Sequence, residues 1–190
     1  MKSGFKSKEI PGEIPFSHGL ENKGNLNERT RLKQYICFIE NLESPCLDIG
    51  EKNWIGSQIG IHFNVSIENT LRCDFNKEVF AAGKYKSILC FEVLEHVMNP
   101  ALFLSNLKGL LLPGGTIYLS TPKLAVIPIY QTDMHFVEYK SGGLEQMFQY
   151  CGFRVEKKKI FCPYPFWWGL TGFRPLFRVI YHRNFLYKLV

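Results

Sequence analysis

The chain has 190 residues, a net charge of +6, 46% hydrophobic residues and 15% aromatics. That is enough chain for one sizeable core, and no composition shift marks a linker between two domains. No apolar run approaches the roughly 20 residues that span a bilayer, and the N-terminus lacks the apolar centre of a secretory leader, so a cytoplasmic protein is expected. Six cysteines (Cys37, Cys46, Cys73, Cys90, Cys151, Cys162) are scattered and never form C-x-x-C. Reduced thiols are therefore expected, rather than a bound metal or a disulfide framework.

In chain order, residues 1–27 are rich in Gly, Pro, Lys and Glu without periodicity and read as a flexible lead-in, which leaves 28–190 as a single domain. Leu32, Tyr35, Ile36, Ile39 and Leu42 mark a helix face over residues 28–42. Residues 46–50, CLDIG, read as a first strand closed by glycine. Residues 53–61 carry a modest helical stripe, 65–71 a second strand, and 87–91 (SILCF) a nearly all-apolar strand covered on both faces.

The richest stretch follows. Asn99 can cap a helix whose first residue is Pro100, where the missing N–H costs nothing. Phe103, Leu107, Leu110 and Leu111 form its buried stripe, Pro113-Gly114-Gly115 is expected to end it, and residues 116–120 (TIYLS) suit a neighbouring strand. This is one β-α-β unit, and in open parallel sheets ligands sit at the edge where such strands end. Leu144, Met147 and Phe148 mark another helix closed at Gly152, and residues 153–161 alternate as an edge strand. The element order argues for a three-layer α/β sandwich.

Charge gathers at the end. Residues 154–190 hold eight Lys/Arg against one acid, Glu156, interleaved with aromatics such as Trp167, Trp168, Phe173 and Phe177. Basic plus aromatic fits a nucleic-acid or membrane-surface patch; alternatively these aromatics pack as the last elements of the fold while the charges face water.

CLDIG (46–50), EVLEHVMNP (92–100), LLLPGGTIYLSTP (110–122), HFVEY (135–139) and CGFRVE (151–156) together resemble the class I S-adenosylmethionine-dependent methyltransferases, in particular the small-molecule branch. The resemblance covers residues 47–155. It implies a Rossmann-like, mostly parallel sheet and S-adenosylmethionine as cosubstrate. Asp48 and Gly50 then lie where the backbone approaches the amino-acid end of the donor, and Phe91 and Glu92 line its pocket. Glu68 stands 20 residues past Asp48, where nucleotide-binding folds place the acid that takes a ribose diol, unless it is a solvated strand-end glutamate. Asp74 resembles a later acid near the adenine. His96 faces the acceptor or merely ties the turn to the helix, and His135 opens a stretch that covers the acceptor pocket. A hydroxyl acceptor calls for one such base, a carboxylate acceptor for none.

The chain departs from the family's pattern in three places. Glu51-Lys52-Asn53-Trp54 stands where further glycines are usual, no acid precedes the EVLEH strand, and only 37 residues separate Asp48 from Tyr85, too few for the usual two β-α units. A shortened second or third unit is expected. The implied function is methyl transfer to a small-molecule, lipid-linked or glycan acceptor, with peripheral membrane contact through the basic tail. The alternative is an inactive methyltransferase-like binding or scaffold domain. No nucleic-acid-reading module is recognisable outside the tail, and the oligomeric state is left open.

Overall fold

The computed structural model of the chain describes residues 24–70, 75, 83–125 and 135–190. Asp74 and Cys73, like residues 1–23 of the lead-in, lie outside the described residues.

Helix α1 (Leu26–Phe38) opens on a capping box: the Asn25 side chain accepts from the Glu28 N–H at 3.0 Å, and a Glu28 carboxylate oxygen accepts from the Asn25 N–H at 2.6 Å. Reciprocal capping starts the helix ahead of its apolar stripe, so it begins at Leu26 rather than at residue 28. There follow β1 (Cys46–Asp48), α2 (Trp54–Phe63), β2 (Ile67–Asn69), β3 (Tyr85–Phe91) and a 3-10 turn at Leu94–His96. Next come α3 (Pro100–Leu110), β4 (Leu111–Pro122), α4 (Ser141–Tyr150) and β5 (Val155–Phe161). A 3-10 segment (Phe166–Thr171), α5 (Phe173–Tyr181) and β6 (Asn184–Leu189) complete the chain.

The described strands form one six-stranded sheet in the order β2-β1-β3-β4-β6-β5. β2, β1, β3 and β4 are parallel, and β6 runs antiparallel to both of its neighbours, β4 and β5. β5 therefore shares the direction of the first four, and the carboxyl ends of five strands gather at one edge. Strand alternation sorts the core: Leu47, Ile88, Cys90 and Leu119 pack with Phe103 and Leu107 of α3 and Phe148 of α4. Cys46, Leu89 and Tyr118 pack on the other face with Tyr35 and Phe38 of α1 and Ile59 of α2. Helices on both faces of a mostly parallel sheet give the expected α/β/α sandwich.

Two sequence expectations change. Asn99 caps α3, accepting from the Leu102 N–H at 3.2 Å, but the helix ends at Leu110 and Pro113-Gly114-Gly115 lies inside β4. Leu111 pairs with Tyr85 while Thr116 already pairs with Ser87, so the glycines form a bulge, with Gly114 at φ +69°. The tail also divides. Phe185, Leu186, Tyr187 and Leu189 of β6 are buried between two strands, whereas the aromatics of residues 166–181 stay largely outside.

Candidate active site

At the carboxyl edge of β1 and β3, roofed by α1, lies a hollow of about 340 Å³. Glu28, Arg31 and Tyr35 of α1, the loop Asp48–Glu51, Asn53 and Gly56 at the head of α2, and Phe91, Glu92 and His96 line it. A second hollow of about 520 Å³, between α2 and β2, meets the first at Asp48, Asn53 and Gly56.

Asp48 ends β1 with its carboxyl buried against the start of α2. Asn53 Nδ2 donates to Oδ2 at 3.2 Å and Asn69 Nδ2 at 3.4 Å, while Asn53 Oδ1 caps α2 by accepting from the Gly56 N–H at 2.9 Å. Burial pushes the carboxyl up to about 7, against the two amide donors that favour its charge. A Cβ at Gly56 would stand 2.4 Å from Asp48 Oδ2, so any other residue here would displace the carboxyl. Gly50 turns at φ +116°, open to glycine alone, and its N–H donates to Thr70 Oγ1 at 2.7 Å.

Glu92 follows β3 in the left-handed region at φ 57°, a strained place for a glutamate. Its carboxylate is over-determined. Ser120 Oγ donates to Oε1 and Asn184 Nδ2 to Oε2, both at 2.5 Å, and Arg31 Nη1 lies 4.0 Å from Oε2. Because Ser120 gives its one proton to Glu92, the Tyr35 hydroxyl, 3.0 Å away, donates to Ser120. The Tyr35 ring stacks on Phe91 with centroids 4.0 Å apart, a flat apolar wall beside the carboxylate. Arg31 keeps a buried Nε without a hydrogen-bond partner, a donor left over for a ligand. Sequence reasoning missed this arginine: one basic residue on a helix has no signature, and its partner Glu92 is 61 positions away.

The two candidate histidines, 39 positions apart, come together: the His96 and His135 rings meet edge to face with centroids 5.1 Å apart. Buried Glu95 lies beneath them, its Oε1 3.8 Å from His96 Nε2, and Thr121 Oγ1 donates to Oε2 at 3.0 Å. Burial, with the neighbouring Glu92 charge, holds the Glu95 carboxyl well above the usual carboxylate range. Ligand atoms of Glu95, His96 and His135 all lie within 4.8 Å of one another, a spacing with the make-up of a cation site among the described residues. His135 Nδ1 is buried without a hydrogen-bond partner, with Glu138 Oε1 3.7 Å away.

Asp48, Gly50, Phe91, Glu92 and His96 thus share one hollow, with His135 against its rim. Glu68 does not join them: it is exposed, pairs with Leu47 and accepts from the Tyr85 hydroxyl at 3.0 Å. Strand parity turns it away, and Asn69 rather than Glu68 stands beside Asp48. Nor do the bulky residues after Gly50 fill the hollow. Trp54 packs its indole against Gly24, where an added Cβ would meet the ring at 2.5 Å, and Lys52 lines only the second hollow.

A family model described as a methyltransferase domain matches residues 30–165, well over half the chain. The chain belongs to the class I S-adenosylmethionine-dependent methyltransferases. Among solved structures, an S-adenosylmethionine-dependent methyltransferase from Archaeoglobus fulgidus aligns at a TM-score of 0.61 and 15% identity, over 88% of this chain and 95% of that one. A cyclopropane synthase from Mycobacterium tuberculosis gives 0.63 at 12% identity, over 85% and 83%. At such identities the likeness is one of fold. The ubiquinone biosynthesis O-methyltransferase of Haemophilus ducreyi is 33% identical over 75 residues, 40% of this chain, so the match spans only 31% of that protein's length.

For a methyltransferase of this class the hollow must suit a ligand bearing a carboxylate, an ammonium and a sulfonium. A guanidinium with a spare buried N–H lies beside the fixed Glu92 carboxylate on the hollow's lining, the Tyr35–Phe91 stack walls it, and its volume falls in the range of small-ligand sites. On that chemistry the residues fit S-adenosylmethionine.

Proposed function

We propose that this chain binds S-adenosylmethionine in the hollow under α1 and transfers its methyl group to a small-molecule acceptor that enters beside His96 and His135. The observation that carries the proposal is the adjacent pair of Arg31, with its unpartnered Nε, and Glu92, held in a strained backbone by donors from β4 and β6. Bound there, S-adenosylmethionine supplies a methyl group already activated on a sulfonium, so the protein's task is orientation in a dry pocket. Arg31 takes the donor's carboxylate and Glu92 faces its ammonium. Gly50 and Gly56 let the backbone and Asp48 close the floor. His135 accepts a proton from an acceptor hydroxyl, and Glu138, 3.7 Å from its Nδ1, then stabilises the imidazolium, while the His96 ring packs edge to face against it. A small-molecule acceptor agrees with the name of the Haemophilus relative.

Calorimetric titration with the demethylated product, S-adenosylhomocysteine, tests the reading. Wild-type protein should bind it, and Arg31→Ala should weaken binding by about 10- to 100-fold, the loss of a charge-assisted hydrogen bond. His135→Ala should leave binding intact and lower turnover of a hydroxyl acceptor by about 100-fold or more. Well-folded protein that gives no heat with the product would sink the proposal. A second reading, a binding module that has lost transfer, draws on the place of Glu68, which leaves β2 without a carboxylate at the hollow. Product binding without transfer to any hydroxyl acceptor tried would favour it.

A further inference from the structure

The 3-10 segment Phe166–Thr171 and helix α5 pack on each other as a hairpin whose apolar side faces out. Phe173, Leu176, Phe177 and Ile180 recur at the spacing of one helix face, yet they are 82, 39, 39 and 48% exposed. Phe166 and Leu170 continue the patch at 80 and 78%. In an ordinary surface helix such a stripe is buried; here Val179, packed against Gly169 of the 3-10 segment, is the buried residue of α5 among those described. Apolar patches of this kind on a protein surface mark a partner.

Charge decides which partner. Residues 162–183, the hairpin and its flanks, carry three arginines (Arg174, Arg178, Arg183) and no Asp or Glu, whereas Lys157, Lys158 and Lys188 of β5 and β6 are ion-paired with Glu40, Glu145 and Glu156. A second copy of the same acid-free hairpin would set arginine against arginine, whereas an anionic surface complements both charge and apolar stripe. Trp167, 54% exposed, and Tyr181 at the helix end are side chains suited to a boundary between apolar and wet regions. The hairpin also leads straight into the active site: α5 runs through His182 and Arg183 to Asn184, which donates to Glu92. Tyr164, ahead of the 3-10 segment, lies 5.4 Å from the His182 ring and 4.8 Å from that of Trp168.

We infer that the hairpin of residues 166–181 is a docking surface for an anionic lipid bilayer, which seats the mouth of the hollow at the membrane. No helix among the described residues is long and apolar enough to cross a membrane, so the contact is interfacial. The inference does not rest on methyl transfer. Its test is co-sedimentation of the full chain with vesicles of phosphatidylcholine alone and of phosphatidylcholine mixed with phosphatidylglycerol. The wild type should pellet with the mixed vesicles at low salt, pellet poorly with the neutral ones, and be released as salt rises. The variant carrying Phe166→Ser, Leu170→Ser and Phe173→Ser should lose at least tenfold in vesicle affinity. Because it replaces exposed side chains, it should melt at the wild-type temperature and still bind S-adenosylhomocysteine. Wild type that stays in the supernatant with anionic vesicles, or a folded variant that pellets as well as wild type, overturns the inference. So does light scattering that shows a dimer abolished by the variant without any vesicle binding, since the face would then join two copies.

Discussion

Asp48 carries a pH dependence that belongs to one side chain. Its carboxyl titrates near 3.8 in an unfolded chain and is pushed up to about 7 by burial in the fold. Between those values the folded state holds the proton the unfolded state has lost. The stabilisation is complete below the unfolded value, falls as pH rises, and is gone above about 7. Each unit is worth about 1.4 kcal/mol, so the loss runs to a few kcal/mol. Asp48→Asn keeps the shape of the neutral acid without its titration. Urea unfolding at about pH 4 and about pH 7.5 should show wild-type stability dropping relative to the variant by that amount; parallel behaviour of the two would place the titration elsewhere. At this scale the sequence was legible where topology alone sets position. Asp48, Gly50, Phe91 and Glu92 end strands, and strand ends of a parallel sheet must meet at one edge. It failed at Glu68, because in a strand as short as Ile67–Asn69 nothing in the pattern fixes which of two neighbouring residues faces which way.

At the scale of elements, α2 and the site share one residue. Asn53 caps the helix through Oδ1 and, through Nδ2, donates to Asp48 Oδ2 and to the Glu51 carbonyl at 3.1 Å. It thereby fixes the loop from its own side chain. Asn53→Ala removes the cap and one donor to Asp48 together. It should cost about 1 to 2 kcal/mol in chemical denaturation and weaken product binding in the same preparation. Asn53→Ser, which retains a capping oxygen, should recover most of the stability and less of the binding. Equal recovery of both would separate the cap from the site. The elements themselves were read well where a polar cap and an apolar stripe agreed, as at Asn99 and Pro100. They were misread at Pro113-Gly114-Gly115, where residues that usually stop a helix instead form a bulge. What distinguishes the two is the pairing of Leu111 with Tyr85, a contact between distant segments that no local pattern encodes.

Across the whole molecule, the sheet is not closed until the last strand arrives. β6 lies between β4 and β5 and pairs with both, and it buries Phe185, Leu186, Tyr187 and Leu189 at 0% exposure. Asn184 at its head also donates to Glu92, so the strand that completes the sheet also supplies a donor to the site. The basic, aromatic composition of the tail concealed this division of labour, because β6 and the 166–181 hairpin have similar content and opposite burial. Removing residues 184–190 therefore does more than trim an end. β5 loses its pairing partner, the edge of β4 is bared, and the Phe148–Tyr187 contact at 5.1 Å that ties α4 to the sheet disappears. The truncated chain should lose cooperative urea unfolding and product binding together, with near-ultraviolet circular dichroism collapsing toward that of the denatured protein. A truncated chain that still unfolds in one sharp transition would mean that β1 to β4 and their helices hold the fold unaided. Glu92 would then have to keep its strained backbone on its bonds to Ser120 and the neighbouring Arg31 charge.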